Sequence, residues 1–153
     1  MAEKTLIIVK PDGVQRHLVG EIISRFERKG FKLVAAKFMK ITKQVAKTHY
    51  SVHKDKPFYD GLIEYLSSAP VLVTVWEAEE VIKTARKMIG RTFCYDARPG
   101  TIRGDLGCSA GYNLVHGSDS PASAEFEIPL FFSPEEIVNY DIADEDWIYG
   151  KND

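Results

Sequence analysis

The sequence lacks the features of a disulfide scaffold, a membrane protein or a nucleic-acid-binding surface. Its two cysteines, Cys94 and Cys108, are too few for a disulfide framework or a metal knuckle. No run approaches the roughly 20 consecutive apolar residues of a membrane span, and the run Leu6–Val9 ends at Lys10, so no signal-peptide core is expected. The net charge of −2 offers no broad attraction for nucleic acid. We therefore expect a soluble, cytoplasmic protein whose partners include neither a membrane nor a nucleic acid.

The composition provides enough apolar residues for one core. With 153 residues, 44% of them hydrophobic, the chain can bury about 68–70% of the surface that it exposes when unfolded. It is too short for two ordinary domains and too apolar for a disordered chain. Residues 1–153 are therefore expected to form a single domain.

The spacing of apolar residues predicts alternating strands and helices. Strands are predicted at Thr5–Lys10, Phe31–Ile41, Val71–Trp76 and, despite Pro129, Ile128–Phe132. Helices are predicted from Leu18 to a cap at Gly30, from Thr42 to about His53, at Tyr59–Leu66 and Glu79–Ile89, and after the caps Ser120 and Ser133. The acidic tail Asp141–Asp153 is expected to be irregular.

This order of elements is a βαββαβ pattern, which predicts an α+β fold. The expected architecture is ferredoxin-like, a four-stranded antiparallel sheet with helices packed on one face. A doubly wound parallel sheet is the alternative. The G-x-G-x-x-G fingerprint that would favour it is absent after the first strand.

A long segment without periodicity, Arg91–Gly117, is the first candidate for function. Loops of this length in compact domains are usually functional or disordered. Four arginines lie in it or just before it: Arg86, Arg91, Arg98 and Arg103. Because arginine forks match phosphate oxygens, the segment favours a phosphate site, and solvated surface charge is the alternative.

The four histidines are the candidates for phosphoryl chemistry, because no Walker A motif is present and a neutral imidazole can attack phosphorus. His17 follows a polar turn and is expected to be exposed. His49 and His53 lie one turn apart on a predicted helix but lack a third metal ligand, so an ordinary surface role is favoured. His116 follows the arginines and precedes Glu127, which makes it the favoured nucleophile.

The segment Asn113–Asp119 reads N-L-V-H-G-S-D and matches the N-x-x-H-G-S-D signature of nucleoside diphosphate kinases. Further segments match motifs of that family in the same order: Lys10–Arg16, Leu18–Ile23, His49-Tyr50, Lys56–Tyr59 and Pro99–Asp105. Over almost its whole length the sequence therefore resembles the nucleoside diphosphate kinase family. The resemblance implies ping-pong transfer of a γ-phosphate from a nucleoside triphosphate to a nucleoside diphosphate through phosphohistidine.

The resemblance also implies a role for each matching residue. His116 would be the nucleophile, Glu127 would bond its other ring nitrogen, and Ser118 would steady that carboxylate. The implied nucleotide contacts are Lys10 and Asn113 at the ribose and phosphates, Tyr50 near the transferred phosphoryl, Arg86, Thr92 and Arg103 at the β- and γ-phosphates, and Phe58, Leu62 and Ala110 at the base. No protein ligand for a metal is implied, since Mg²⁺ would bridge phosphate oxygens. His53 resembles a position that reaches the α-phosphate in some members.

The resemblance further implies a homohexamer built as a trimer of dimers. On the second strand, Val34, Ala36 and Phe38 alternate against Lys37 and Lys40 and suit a dimer edge. Phe93-Cys94 replaces the usual Asn-Pro, so weaker trimer contacts are expected.

Two further departures from the family pattern are Tyr112 in place of an arginine and Ala110 in place of a larger aliphatic residue.

The alternative function is that of a regulator. Such a protein would bind nucleotides and form phosphohistidine at the same site, but would act mainly through contacts with protein partners. The sequence does not separate the two.

Overall fold

The computed structural model describes residues 2–153, which contain a four-stranded antiparallel sheet. The strands are β1 (Ala2–Val9), β2 (Lys32–Met39), β3 (Val71–Glu79) and β4 (Val115–Gly117). Their order across the sheet is β2-β3-β1-β4, and each neighbouring pair is antiparallel. The expected ferredoxin-like sheet is confirmed.

Helices connect and cover these strands. They are α1 (Pro11–Gln15), α2 (Val19–Lys29), α3 (Lys43–His49), α4 (Tyr59–Leu66), α5 (Val81–Ile89), α6 (Ile102–Leu106), α7 (Pro121–Phe131) and α8 (Glu145–Ile148). Single 3₁₀ turns are present at Ser51–His53, Cys94–Asp96 and Pro134–Glu136. Within residues 2–153, none of these helices is long and apolar enough to cross a bilayer.

Helices pack on both faces of the sheet, whereas one covered face was expected. The central strand β1 is buried on both sides, as continuous apolar runs often are. Ile7 and Val9 join the core that α2 and α5 cover, and Leu6 and Ile8 join the core that α3 and α4 cover. The second face is covered because the chain inserts α3 and α4 between β2 and β3.

The helix α2 follows its sequence pattern closely. Ile22 and Phe26 are fully buried, and Phe26 packs against Trp76 of β3 with ring centroids 5.7 Å apart. Full burial of such a side chain contributes about 1.5–3 kcal/mol. Gly30 ends the helix with φ +99°, a conformation that glycine adopts without steric cost.

The predicted strand Ile128–Phe132 is wrong, because these residues continue and end α7. The helix begins where expected, since the Ser120 hydroxyl accepts a hydrogen bond from the Ser123 amide at 3.1 Å. Pro129 lies in the last turn of the helix and is exposed, so its missing N–H leaves only one helical hydrogen bond unmade.

The error in α7 has a physical cause. Ala124 contributes to one core and Phe131 to the other, so the helix is apolar on several sides and shows no 3.6-residue stripe. A short apolar run of this kind fits a buried strand and a buried helix equally well. The Lys37 ammonium donates to the Phe131 carbonyl at 2.7 Å, which satisfies one free carbonyl at the helix end.

The fourth strand is β4, inside the segment that was predicted to be irregular. Three residues are too few to show an alternating pattern, and β4 is stabilised by pairing with β1, where His116 lies opposite Ile8. The same segment contains α6, whose Gly104 amide donates to the Thr101 hydroxyl at 2.9 Å. A Cβ on Gly104 would lie 1.9 Å from the Arg98 carbonyl oxygen, so only glycine fits there.

The edge strand β2 contains a bulge between Leu33 and Ala35 that alters the predicted face. Val34 is buried in the core, while Ala36 and Phe38 point outward, Phe38 with 63% of its surface exposed. The alternation predicted that all three residues share a face, but Val34 lies on the face opposite to that of Ala36 and Phe38. An extra residue in one strand reverses the side on which the following residues project.

Smaller differences concern two other segments. The helix predicted from Thr42 to about His53 ends at His49 and is followed by a separate 3₁₀ turn. The acidic tail contains the short helix α8, whose Ile148 packs near Gly30.

Candidate active site

The site is built around His116 on β4. Because residues directly opposite in an antiparallel pair share a face, His116 lies on the side of Ile8, where α3 and α7 pack. Glu127, in the middle of α7, accepts a hydrogen bond on Oε1 from His116 Nε2 at 3.1 Å. The Ser118 hydroxyl donates to the same oxygen at 2.7 Å and accepts one from the Leu6 amide at 3.2 Å. The central strand thus fixes the carboxylate that orients the imidazole.

This contact decides which nitrogen of His116 can react. An ionised carboxylate only accepts hydrogen bonds, so Nε2 carries the proton and Nδ1 keeps its lone pair. Burial lowers the pKa of His116, although the hydrogen bond to Glu127 opposes that effect. The ring is therefore neutral at pH 7, with Nδ1 as a nucleophilic atom.

A row of aromatic rings leads from His116 to the surface. The His49 ring lies edge-on to His116 with centroids 4.6 Å apart, and the Tyr50 ring lies 4.7 Å from that of His49. His53 continues the row to Phe58, which is 51% exposed. The His49 Nδ1 atom and the Tyr50 hydroxyl are buried without a hydrogen-bond partner in residues 2–153. The exposed Phe58 ring, at the outer end of this row, can stack on a flat ring of a ligand.

Lys10 lies on the other side of the site, directly after β1. Its ammonium donates to Asn113 Oδ1 at 2.8 Å, and both side chains are buried. Burial and the Arg103 guanidinium lower the pKa of Lys10 to about 7, while the Asp12 carboxylate opposes the shift. A bound anion would restore the charged ammonium, because opposite charges favour ionisation.

Two arginines add positive charge next to Lys10. The buried Arg103 donates from three nitrogens to the carbonyls of Asn113, Gly90 and Val115, at 3.1, 3.2 and 2.7 Å. Arg86 donates to the Gly117 carbonyl at 3.2 Å. Within residues 2–153, neither arginine nor Lys10 forms a salt bridge. Guanidinium and ammonium groups are the side chains that bind phosphate and carboxylate oxygens in proteins.

A comparison with models of protein families identifies the family of this chain. A family model described as nucleoside diphosphate kinase matches residues 3–137. The chain belongs to the nucleoside diphosphate kinase family. A nucleoside diphosphate kinase from Oceanobacillus iheyensis is 56% identical over 147 residues, which are 96% of this chain and 99% of that protein.

Solved structures of nucleoside diphosphate kinases are also similar. The halophilic enzyme from Halobacterium salinarum in complex with CDP matches with a TM-score of 0.96 and 47% identity, covering 98% of this chain and 100% of the other. A transition-state mimic of the Borrelia burgdorferi enzyme, with bound vanadate and ADP, matches with a TM-score of 0.91 and 41% identity over 95% of this chain and 96% of the other.

Most residues that the resemblance singled out as site residues lie together in this chain. Direct contacts join His116, Glu127 and Ser118, and a second set joins Lys10, Asn113 and Arg103. The remaining members are attached as follows: Thr92 accepts on its carbonyl from Asn113 Nδ2, Arg86 holds Gly117 beside His116, and Tyr50 and Phe58 belong to the ring row.

Leu62 is joined to these groups through its amide, which donates to the Phe58 carbonyl at 3.1 Å, whereas Ala110 has no hydrogen bond or ring contact to them within residues 2–153. They lie on α4 and on the loop after α6, two segments that meet where the Tyr65 and Tyr112 rings approach to 5.0 Å. Ala110 is exposed, and Leu62 is partly buried against the core. Both lie at the edge of the site, away from the side chains around His116 and Lys10.

Two groups of side chains beside the site were not predicted from the sequence. His49 packs on the ring of His116, although a surface role was favoured for it, and its spacing to His53 pointed only to a metal. Asp12 and Tyr65 form a hydrogen bond beside Lys10. The position of Asp12 in the motif Lys10–Gly13 was an available signal, whereas Tyr65 reaches it only through the fold.

The buried His49 predicts a specific dependence of stability on pH. Burial, with repulsion from His116, lowers the pKa of His49 to about 2, whereas an unfolded histidine titrates near 6.5. Below pH 6.5 the unfolded state therefore binds a proton that the folded state does not, and His49 costs about 1 kcal/mol of stability per pH unit.

Replacing His49→Gln should remove this cost. We expect the stability deficit of the variant, measured by urea unfolding at pH 7.5, 6 and 5, to shrink by about 1 kcal/mol per unit below pH 6.5. A deficit that is the same at all three pH values would contradict the neutral, buried state of His49.

Proposed function

We propose that this chain transfers the terminal phosphoryl group of a nucleoside triphosphate to a nucleoside diphosphate by a ping-pong route, with His116 as the carrier. The observation that carries the proposal is the hydrogen bond between His116 Nε2 and Glu127, which leaves Nδ1 with its lone pair. The Ser118 hydroxyl and the Leu6 amide support it by fixing the carboxylate on the central strand.

In the first half-reaction the Nδ1 lone pair forms a bond to the γ-phosphorus. The bond from that phosphorus to the β,γ-bridging oxygen breaks, and its electron pair leaves with the nucleoside diphosphate. The ring gains positive charge, which the Glu127 carboxylate stabilises through the proton kept on Nε2. In the second half-reaction a terminal oxygen of another diphosphate attacks the phosphohistidine, and Nδ1 leaves with its lone pair.

The other site residues hold the nucleotide in this proposal. Lys10, Arg86 and Arg103 neutralise phosphate oxygens, which is the main task of the protein in phosphoryl transfer. The proposed neighbours are Asn113 and Thr92 at the phosphates and ribose, Tyr50 beside the transferred phosphoryl, His53 near the α-phosphate, and Phe58, Leu62 and Ala110 around the base. Phe58 can stack on any base, because every base has a π-face.

Enzymes of this family need a divalent cation, and we infer that it is Mg²⁺ bound to the nucleotide phosphates. In residues 2–153 one group of three ligands has the spacing for a metal: His49, His116 and Glu127. Two imidazoles and one carboxylate suit zinc-like ions, whereas Mg²⁺ prefers oxygen ligands and phosphates. The side chains of this site therefore do not form a Mg²⁺ cage.

The CDP complex and the vanadate–ADP complex of the two related enzymes support nucleotides as substrates here. The test is to incubate the protein with ATP labelled at the γ-phosphate. We expect an acid-labile, base-stable phosphoprotein that passes its label to added GDP at every turnover. Labelling without steady-state transfer would instead favour the phosphohistidine regulator that acts through protein contacts.

We also infer a homohexamer of single-domain chains in the cytoplasm. The single domain is supported by β1, which contributes alternately to both cores. Ala36 and Phe38 expose an apolar patch on the edge strand β2, where a partner strand or subunit would cover it. The exposed thiol of Cys108 suits a reducing compartment.

The assembly proposal predicts a defined effect of charge on β2. Light scattering of the wild-type protein should give the mass of six chains, and the species should dissociate on dilution because Phe93-Cys94 lacks the stiffening proline. Phe38→Asp should yield smaller species, because it buries a charge in the inferred dimer contact. A wild-type monomer at micromolar concentration refutes the hexamer.

A further inference from the structure

Asp12, in the short helix α1, forms a bridge between three elements around the site. Its Oδ2 accepts a hydrogen bond from the Leu114 amide at 3.1 Å, just before β4. Its Oδ1 accepts a hydrogen bond from the Tyr65 hydroxyl of α4. Burial and the bond to Asp12 raise the pKa of Tyr65, so this hydroxyl remains a donor across the physiological range.

The Leu114 backbone requires such support. Leu114 is fully buried and has φ +72°, in the left-handed region that residues with a Cβ rarely occupy. Its carbonyl accepts from the Lys10 amide at 2.8 Å while its N–H is held by Asp12. Both peptide groups that flank this bend are therefore tied to the segment Lys10–Asp12.

The bend at Leu114 sets the relative positions of two groups in the proposed mechanism. Asn113, whose Oδ1 accepts from the Lys10 ammonium, directly precedes it, and His116 follows it by two residues. If Leu114 relaxed to a common conformation, Asn113 and Lys10 would change direction relative to His116.

The hydrogen bond between Asp12 and Tyr65 places the Tyr65 ring next to Lys10. The Lys10 ammonium lies 5.6 Å from the centroid of the Tyr65 ring, and the Tyr112 ring packs on the outer side of Tyr65 at 5.0 Å. Asp12 therefore holds the ring on which the buried ammonium rests, in addition to the backbone that carries its amide partner.

We propose that Asp12 is a positioning residue for phosphoryl transfer, acting through Leu114 and Tyr65 to align Lys10 and Asn113 with His116. This inference rests on the proposed function, because it uses the roles assigned there to Lys10 and Asn113. Asp12 itself contacts neither the phosphohistidine nor the nucleotide in this account.

The test is a double-mutant cycle between Asp12→Asn and Asn113→Ala. An asparagine offers one acceptor oxygen and so loses one arm of the bridge. We expect Asp12→Asn to lower kcat/KM for GDP by about tenfold or more, as misalignment of reacting groups does. Tyr65→Phe should have a smaller effect, and the exposed Asp55→Asn should have none. Counting phosphohistidine per chain corrects each rate for inactive protein.

The cycle separates positioning from simple stabilisation. In the Asn113→Ala background, Asp12→Asn should lower kcat/KM clearly less than it does in the wild-type background, because the part of its effect that passes through Asn113 is already removed and only the part that passes through Lys10 remains. If the effects of Asn113→Ala and Asp12→Asn on kcat/KM are additive, this inference is overturned and the proposed function is not affected. Unchanged kinetics of Asn113→Ala overturn the proposed role of Asn113 and this inference with it. An Asp12→Asn protein that has a lower Tm and wild-type kcat/KM also overturns it.

Discussion

Replacing His116→Ala should reduce turnover by at least about 10⁴-fold, the range seen when a catalytic nucleophile is removed. In the proposed mechanism the imidazole accepts the phosphoryl group in the first half-reaction and releases it in the second, and its Nδ1 is the nitrogen that Glu127 leaves free. Nucleotide binding should remain largely intact, because Lys10, Arg103 and Phe58 are unchanged. Steady-state transfer from ATP to GDP measures the first expectation, and calorimetric titration with ADP measures the second.

Glu127→Gln is the matched variant for this experiment. The amide oxygen of glutamine can still accept from His116 Nε2, so orientation is kept while the stabilising charge is lost. We expect a reaction that is slower by about 10–100-fold and a normal final yield of phosphohistidine. Turnover of His116→Ala within tenfold of the wild type would mean that another group carries the phosphoryl.

Local patterns predicted the parts of the fold that are stabilised locally. The strand at Thr5–Lys10 was visible because a continuous apolar run fits a strand buried on both faces. The helix α2 was visible because Ile22 and Phe26 repeat at helical spacing and Gly30 follows. In such segments, propensity, periodicity and end signals agree with the tertiary structure.

The parts that were predicted wrongly depend on contacts distant in sequence. β4 is a strand only because β1 offers its edge, and α7 hides its helical period because both cores take residues from it. The bulge at Val34 moves residues to the other face of β2 without changing their spacing in the sequence. The covering of both sheet faces follows from where α3 and α4 pack, which periodicity does not specify.

The candidate site shows the same division. The short motif around His116 was sufficient to select it as the candidate nucleophile, since Asn113, Ser118 and the histidine are close in sequence. Glu127 came from the family resemblance, and its hydrogen bond to His116 exists because α7 crosses the face of β4. The sequence assigned no role to His49, because its contact with the ring of His116 joins two residues that are 67 positions apart in the chain.

Arg103→Lys should lower both stability and activity. The Arg103 guanidinium satisfies the carbonyls of Gly90, Asn113 and Val115 inside the protein, where only 3% of the residue is exposed. A lysine ammonium is a single point that cannot reach three carbonyls lying in different directions. The Asn113 carbonyl also accepts from the Val115 amide at 2.8 Å, so the carbonyls of Gly90 and Val115 are the two that depend on Arg103. A buried acceptor without a partner costs about 1–3 kcal/mol, so the loss of both contacts costs about 2–6 kcal/mol.

That loss should appear as a decrease in Tm of about 4–24 °C, since 1 kcal/mol corresponds to about 2–4 °C in a chain of this size. The exposed Arg98→Lys is the matched control, and its Tm should change by no more than about 2 °C. kcat/KM should also decrease for Arg103→Lys, because Asn113 and the start of β4 lose the group that ties them to Gly90. A Tm within 2 °C of the wild type would mean that Arg103 serves the nucleotide alone, and that its three carbonyl contacts contribute nothing to holding the loop.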